Sequence, residues 1–214
     1  MRKLSLGLQC GQMDETEREE RVLLTANATA PRRAVWRDIL IVAGLWLFCL
    51  LFMGIAAYPD QLFLPLDIIT QAMPPWQQPG QPVALQNPIL EDAVFYIYPI
   101  KAWTAAMVRQ GELPLWNPYI FTGYPAIYDT QAGLFYPFSL LYYFLSGATA
   151  VNLTILLQLW VGILFMYGYL RQIRLRWVAA ALGAILCVGN GLMGVWREWQ
   201  VVEAAIIWLP LVLF

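Results

Sequence analysis

Residues Glu91 to Phe144 read EDAVFYIYPIKAWTAAMVRQGELPLWNPYIFTGYPAIYDTQAGLFYPFSLLYYF, and this stretch decides how the rest of the chain is arranged. It is too polar and too rich in Gly and Pro to span a bilayer, yet it carries most of the aromatic residues that lie outside the apolar segments. Long apolar runs lie on both sides of it. We therefore expect an extramembrane layer beside the apolar surface where a lipid-borne substrate would lie.

The composition is typical of an integral membrane protein, so the lipid bilayer is an expected partner. Of the 214 residues, 60% are hydrophobic and 13% are charged, and the mean hydropathy is +0.56. The formal net charge is -1 and no basic run is present, so no nucleic-acid partner is expected. Because the chain has no His, an imidazole base and a His-containing metal site are excluded.

Four apolar runs predict an all-α membrane protein with about four transmembrane helices. The first run, Ile39 to Ala57, has no charged residue and gives about 28 Å of helix rise. The second and third are Thr149 to Leu170 and Trp177 to Val195. The fourth begins at Val201 and stops at Phe214, after about 21 Å of rise against a hydrocarbon core of about 30 Å. This short last run suggests a truncated sequence from which further transmembrane helices are missing.

The domain organisation follows from these runs. Residues 1–37 are polar and charge-dense, which predicts a disordered cytosolic tail, and residues 38–214 form the membrane domain. Residues 58–148 between the first two spans form its external loop. Arginines cluster around Arg37 before the first span and around Arg174 after the second, so the positive-inside rule places the N-terminus inside.

Proline and glycine divide the external loop. Residues Leu62 to Pro88 hold six prolines, which predicts an extended connector. A helix is predicted from Ile89 to Gln110, punctuated by Pro99 and ended by Gly111. The segment Phe138 to Leu145 is apolar but too short to span, and it predicts an interfacial helix.

The helix that ends before Gly111 is amphipathic, which suits a helix lying on a membrane surface. One of its faces carries Asp92, Tyr96, Pro99 and Trp103. The more apolar face next to it carries Ala93, Ile97, Ile100 and Thr104.

Several motifs follow one another after the first span. They are Glu91-Asp92 through Tyr98-Pro99, Gly111-Glu-Leu-Pro-Leu-Trp-Asn-Pro118, Gly123-Tyr-Pro125, Phe135-Tyr-Pro137, and Ala204 to Leu211 as AAIIWLPL. Their order resembles the N-terminal part of the YfhO-like bacterial membrane proteins and, more broadly, of GT-C-type glycosyltransferases. The resemblance covers roughly the residues from Tyr58 to Phe214.

The resemblance implies a multi-pass glycosyltransferase of the bacterial cytoplasmic membrane. Such an enzyme transfers a sugar from a polyprenyl-phosphate carrier to an acceptor on the external face. The resemblance also implies that an acid in the first external loop acts at the reaction centre, often with a divalent cation such as Mg²⁺ or Mn²⁺. On this sequence the catalytic acid would be Asp92, which would also hold the metal, with Glu91 beside it.

The residue types around these acids fit that chemistry. A partly desolvated carboxylate can take the proton of an acceptor hydroxyl. A cation such as Lys101, Arg109 or Arg197 can stabilise the departing phosphate. The remaining predicted substrate contacts are Trp103, Trp116, Asn117 and Tyr124.

The same residues also have structural interpretations. Adjacent acids at a helix start commonly interact only with the helix dipole, and Trp116 to Pro118 is more simply a turn. Asp129 is expected to be solvated or to cap a turn. A surface ion pair explains Arg197 and Glu198, and Glu203 either lies at the interface or lines a cavity. The alternative function is a non-catalytic membrane scaffold or assembly module, and the chain alone is expected to be inactive.

Overall fold

The computed structural model describes residues 35–54, 62–73, 75–77, 80, 84–145 and 147–214. These residues form helices and turns, and they include one isolated antiparallel bridge but no strand. The all-α prediction is confirmed for this part of the chain. The tail predicted for residues 1–37 lies outside the described residues up to residue 34, while residues 35–37 begin the first helix.

The α-helices of the described residues are α1 Val35–Met53, α2 Asp67–Ala72, α3 Tyr98–Arg109, α4 Leu140–Phe144, α5 Gly147–Gln172, α6 Trp177–Val188, α7 Gly191–Trp196, α8 Val201–Ile206 and α9 Leu209–Leu213. Short 3₁₀ turns occur at Pro88–Leu90, Ala126–Tyr128, Pro137–Ser139 and Arg197–Trp199, and a π turn at Ala93–Ile97. Residues 43–214 form one compact unit, and the contacts described below lie within it, apart from the ion pair near the start of α1.

Two helices, α1 and α5, are long and apolar enough to cross a membrane, with mean hydropathies of 2.0 and 1.8. They correspond to the first two predicted spans. Helix α1 begins at Val35, before the predicted Ile39, because charged residues lower hydropathy without breaking a helix. Here Arg37 and Asp38 form an ion pair at 3.5 Å. The predicted end of this span at Ala57 lies outside the described residues.

The third predicted span is bent. Neither helix α6 nor the segment Gly191–Trp199 is long enough to cross a membrane by itself. Together they are long and apolar enough, with an angle of 43° between them. The side chain of Asn190 causes the break, because it accepts a hydrogen bond from Met193 N at 3.0 Å and donates one to Cys187 O at 2.6 Å. An N-cap of this kind starts a new helix and ends the previous one.

The fourth predicted span is interrupted as well. It forms α8 and α9, which together make a shorter apolar helical segment, Val201–Leu213. Pro210 stands in the first turn of α9, where its missing N–H costs least.

Helix α5 is the centre of the packing. Its residues Val151, Ile155, Leu159 and Ile163 have no exposed surface and repeat every four positions. Helix α6, the short helix α4, and helices α8 and α9 pack around it. A glycine of α5 allows a close approach at one of these contacts, since a Cβ atom at Gly162 would lie 3.0 Å from Cγ2 of Ile207.

The helix that ends before Gly111, called the external helix after its predicted location, buries its more apolar face within the protein. Ala93, Ile97, Ile100 and Thr104 are all at most 3% exposed, whereas Asp92 is exposed. The π turn precedes α3 because Pro99 has no N–H to bond with the carbonyl of the preceding turn.

The extended connector predicted from Leu62 to Pro88 is wrong in one part, because α2 forms at Asp67–Ala72. The residues between Pro65 and Pro74 contain no proline, so one short helical segment fits between these two breakers. A short helix does form within the segment Phe138 to Leu145, as α4 preceded by a 3₁₀ turn, and its interfacial location stays a prediction.

Candidate functional site

A cavity of about 220 Å³ lies where residues 91–145, called the external layer after their predicted location, meet helices α5 and α8. Its walls come from α3, the loop at residues 130–136, α5 and residues 200–205. Its polar wall is formed by Lys101, Gln131, Tyr136, Gln158 and Gln200, and its apolar wall includes Val201, Ala204 and Ala205. A concave site with a few convergent polar groups is the usual form of a small-ligand pocket.

Lys101 supplies the positive charge of this cavity although it is only 6% exposed. Its Nζ donates to Ala132 O and to Ser139 Oγ, both at 3.3 Å, and lies 5.4 Å from the ring centre of Tyr142. Burial lowers the pKa of Lys101 to about 8, although the charge of Asp129 acts in the opposite direction. Because an ammonium group has three donors, these two hydrogen bonds leave one for a ligand.

Gly133 allows the loop at residues 130–136 to lie close to Lys101. Gly133 has a φ of +58°, a conformation that costs glycine little. A Cβ atom at this position would lie 3.4 Å from Ser139 Oγ and 3.7 Å from Lys101 Nζ. The absence of a side chain at Gly133 therefore keeps the space beside the ammonium group open.

Amide and hydroxyl groups form the opposite wall. Gln158 Nε2 donates to the Tyr136 hydroxyl at 3.2 Å, and this hydroxyl donates to Ala204 O at 3.2 Å. The Tyr142 hydroxyl donates to Gln200 Oε1 at 2.8 Å. Gln158 Oε1 is buried without a hydrogen-bond partner among the described residues. Such a group retains hydrogen-bonding capacity that a ligand could use.

Gln200 occupies its position through an unusual backbone conformation. It has a φ of +59° and is 3% exposed, at the junction between the bent apolar segment and α8. A positive φ is uncommon outside glycine and costs about 1–3 kcal/mol. The tertiary packing maintains this conformation, in which the amide of Gln200 lines the cavity.

Asp129 organises the loop that faces Lys101. Its Oδ1 accepts from the backbone N–H groups of Gln131 and Ala132 at 2.9 and 3.1 Å, while its Oδ2 accepts from Tyr124 at 2.6 Å and from Tyr96. Burial tends to raise the pKa of Asp129, but these hydrogen bonds outweigh it and the pKa is lowered. The prediction that Asp129 caps a turn is therefore confirmed.

The two predicted catalytic acids are not part of the cavity. Glu91 and Asp92 are exposed, at the start of the external helix, and neither lines the cavity wall. Their catalytic role stays a prediction.

The two predicted arginines are engaged in hydrogen bonds to backbone carbonyls. Arg109 donates to Tyr142 O at 2.6 Å, to Tyr143 O at 3.0 Å and to Leu145 O, at the C-terminal end of α4. Arg197 donates to Phe52 O at 3.2 Å at the end of α1. Its guanidinium lies 4.6 and 5.0 Å from the ring centres of Phe52 and Phe63. Cations at the free carbonyls of a helix end stabilise that end.

The predicted aromatic contacts are dispersed. Trp103 is half-buried on α3, and Trp116 is 56% exposed beside Gly123. Asn117 is buried, and its backbone pairs with that of Tyr124 through two hydrogen bonds of 2.8 and 2.9 Å. This geometry agrees with the interpretation of Trp116 to Pro118 as a turn.

The described residues contain no group of three or more His, Cys, Asp or Glu side chains that could hold a metal ion. Glu91 and Asp92 are successive residues of one helix, so their side chains point in different directions.

Several residues of the cavity are not among the predicted site residues, namely Gln158, Tyr136 and Gln200. Gln158 could have been found, because a polar residue in the middle of an apolar span is uncommon and often functional.

Glu203, on α8, is 1% exposed, and both of its carboxylate oxygens are without a hydrogen-bond partner in the described part of the chain.

No family model matches the chain, and neither a curated protein nor a solved structure matches it.

Proposed function

We propose that this chain belongs to a membrane glycosyltransferase that moves a sugar from a polyprenyl-phosphate donor to an acceptor on the external face. The observation that carries the proposal is the polar cavity around Lys101, which lies between the external layer and the apolar helices. A lipid-linked sugar has its polar part at such a boundary and its polyprenyl chain among apolar side chains. The order of motifs from Glu91 to Leu211 supports the same proposal.

The proposed reaction is a displacement at the anomeric carbon of the donor sugar. The acceptor hydroxyl oxygen forms the new bond to that carbon, and the bond between the carbon and the phosphate oxygen breaks. The electron pair leaves with the polyprenyl phosphate, and Asp92 takes the hydroxyl proton. Positive charge at the departing phosphate stabilises the transition state.

The divalent cation belongs to this proposal as a separate prediction. If Mg²⁺ or Mn²⁺ is used, Asp92 is the residue that would hold it, because Mg²⁺ is commonly bound through one or two carboxylates together with substrate phosphates. Sugar transfer should then fall on chelation and recover on adding either ion.

The proposed topology places the N-terminus and the loop around Arg174 inside a bacterial cytoplasmic membrane that the chain crosses several times. The arginines near the ends of α1 and α5 support it. In a cysteine-free variant, an impermeant thiol reagent applied from outside should label a Cys at Glu112 and spare one at Gln172. The reverse pattern would exclude this topology.

Substitution of the proposed base tests the enzymatic proposal. We expect Asp92→Asn to lower sugar transfer about 10²- to 10⁴-fold, measured for the full-length protein in membranes with matched protein levels. Glu112→Gln removes another exposed acid from the external layer and is the matched control. Transfer at the wild-type rate in Asp92→Asn would remove Asp92 from the reaction.

The second candidate function is a non-catalytic membrane scaffold. The exposure of Glu91 and Asp92 and their position outside the cavity favour it. A scaffold predicts no transfer in the wild type, and it predicts that Asp92→Asn leaves the association of the chain with its membrane partners unchanged.

A further inference from the structure

We propose that the cavity around Lys101 is an oxyanion site, in which the Lys101 ammonium group binds a phosphate. The first observation behind this proposal is an uncompensated charge. Within the described residues, no carboxylate lies within ion-pair distance of Lys101 Nζ. A buried ammonium group without a counter-ion is costly, and an anionic ligand would supply the missing partner.

The nearest acid cannot take this role in the present conformation. The Asp129 carboxylate already accepts hydrogen bonds from Tyr96, Tyr124 and two backbone N–H groups. Both of its oxygens therefore already have hydrogen-bond partners other than Lys101. The atom of this loop that accepts from Lys101 Nζ is the carbonyl oxygen of Ala132. The carbonyl oxygen of Ala132 is neutral, so this hydrogen bond does not neutralise the positive charge of Lys101.

Lys101 is also distinguished from the other two cations that sequence analysis proposed for a phosphate. Arg109 and Arg197 donate to backbone carbonyls at helix ends, and neither lines the cavity. Lys101 alone of the three lies in the cavity wall. Lys101 is thus placed to contact a ligand, whereas Arg109 and Arg197 stabilise helix ends.

The remaining cavity wall can donate hydrogen bonds to an oxyanion. Gln131 and Gln158 each have a buried side-chain oxygen without a partner among the described residues. Because the oxygen and nitrogen of an amide can exchange places by a flip, either residue can turn an N–H₂ group towards an anion. In the flipped state Gln158 no longer donates to the Tyr136 hydroxyl, and this hydroxyl would donate to the Gln158 oxygen in place of Ala204 O. A lysine and two amides provide the kind of charged and neutral donors that phosphate oxygens need.

The source of the phosphate is a separate question. Its identification with the phosphate of a lipid carrier rests on the proposed glycosyltransferase function, whereas a free phosphate would use the same chemistry. Inorganic phosphate and farnesyl phosphate are therefore the two probes, and farnesol is the uncharged control for the apolar tail. Binding is measured by isothermal titration on the full chain in neutral detergent at about pH 7, where Lys101 is charged.

The expected result is tighter binding of farnesyl phosphate than of farnesol by the wild type. We expect Lys101→Met to weaken the binding of either phosphate about 10- to 100-fold, the usual effect of losing one charged hydrogen bond. Glu112→Gln, which removes an exposed acid that does not line the cavity, should bind like the wild type. Measurable binding of inorganic phosphate supports a site for free anions, and binding of farnesyl phosphate alone supports a site for a lipid headgroup.

Two results would overturn the oxyanion site. One is equal affinity of the wild type for farnesyl phosphate and farnesol, and the other is unchanged phosphate affinity in Lys101→Met. If Lys101→Met folds poorly, Gln158→Leu is the second variant, because it keeps the charge of Lys101 and removes one amide of the cavity. A phosphate affinity of Gln158→Leu equal to that of the wild type would count against the site. Phosphate binding without sugar transfer would refute only the proposed function, and sugar transfer without Lys101-dependent binding would refute only the oxyanion site.

Discussion

The buried charge of Lys101 predicts an unusual dependence of stability on pH. An ordinary lysine has a pKa of 10.5, whereas burial lowers that of Lys101 in the folded chain to about 8. Below both values the amine is charged in the folded and the unfolded chain, and the full cost of burying the charge is present. As the pH rises above about 8, the folded chain loses this proton while the unfolded chain keeps it, so stability increases towards pH 10.5.

The magnitude follows from the same two pKa values. Linkage gives a gain of ~1 kcal/mol in the free energy of unfolding between about pH 7 and about pH 9. For a chain of this size, that gain raises the melting temperature by roughly 2–4 °C. The tyrosines around Lys101 do not interfere in this interval. Burial raises the pKa values of Tyr136 and Tyr142 above the ordinary 10.0, so their opposite effect begins only at higher pH.

Thermal unfolding in neutral detergent, in buffers free of phosphate, measures this effect. Lys101→Met lacks the titrating amine and is the control. Its melting temperature should not show the rise of roughly 2–4 °C that Lys101 contributes to the wild type between about pH 7 and about pH 9. Parallel curves for the wild type and Lys101→Met would refute the assignment of Lys101 as a buried, uncompensated cation.

Two further predictions concern the stability of the external layer. Arg109→Ala removes hydrogen bonds to three carbonyls at the end of α4, and because Arg109 is exposed, we expect a loss of only about 1–2 kcal/mol, measured by unfolding in detergent. An Arg109→Ala variant as stable as the wild type would contradict this. Gly123→Ala would place a Cβ atom 2.6 Å from Trp116 Nε1 at a φ of +106°, so it should cost about 1–3 kcal/mol more than Gly111→Ala. Gly111 is the matched control, because its φ is +80° but nothing lies within 4 Å of the added atom. Equal losses in the two glycine variants would show that Trp116 moves aside freely.

The length of the apolar runs was sufficient to predict α1 and α5, and periodicity was sufficient to identify the apolar face of the external helix. Ala93, Ile97 and Ile100 recur at helical spacing, and their burial depends only on which side of one helix faces the core. The positions of helix ends were less predictable. Asn190 breaks the third apolar run through its own side-chain hydrogen bonds, which hydropathy does not record.

The cavity could not be predicted in the same way. Its polar groups come from Lys101, Tyr136, Gln158 and Gln200, which are far apart in the sequence and meet only through the packing of the external layer on α5 and α8. No short-range pattern connects such residues. The residue type alone also could not separate Lys101 from Arg109, because their difference lies in which atoms surround each charge.

Photo-crosslinking from the cavity tests the central claim most directly, namely that a lipid-linked sugar phosphate occupies it. Ala205 is exposed and lines the cavity, whereas Leu182 is 55% exposed on α6 and does not line it, so a photoreactive residue is placed at one or the other. A radiolabelled polyprenyl-phosphate-linked sugar should crosslink at position 205 and not at position 182. In the Lys101→Met background the labelling at position 205 should fall about 10-fold or more. Equal labelling at the two positions, or labelling at position 205 that does not depend on Lys101, would contradict the claim.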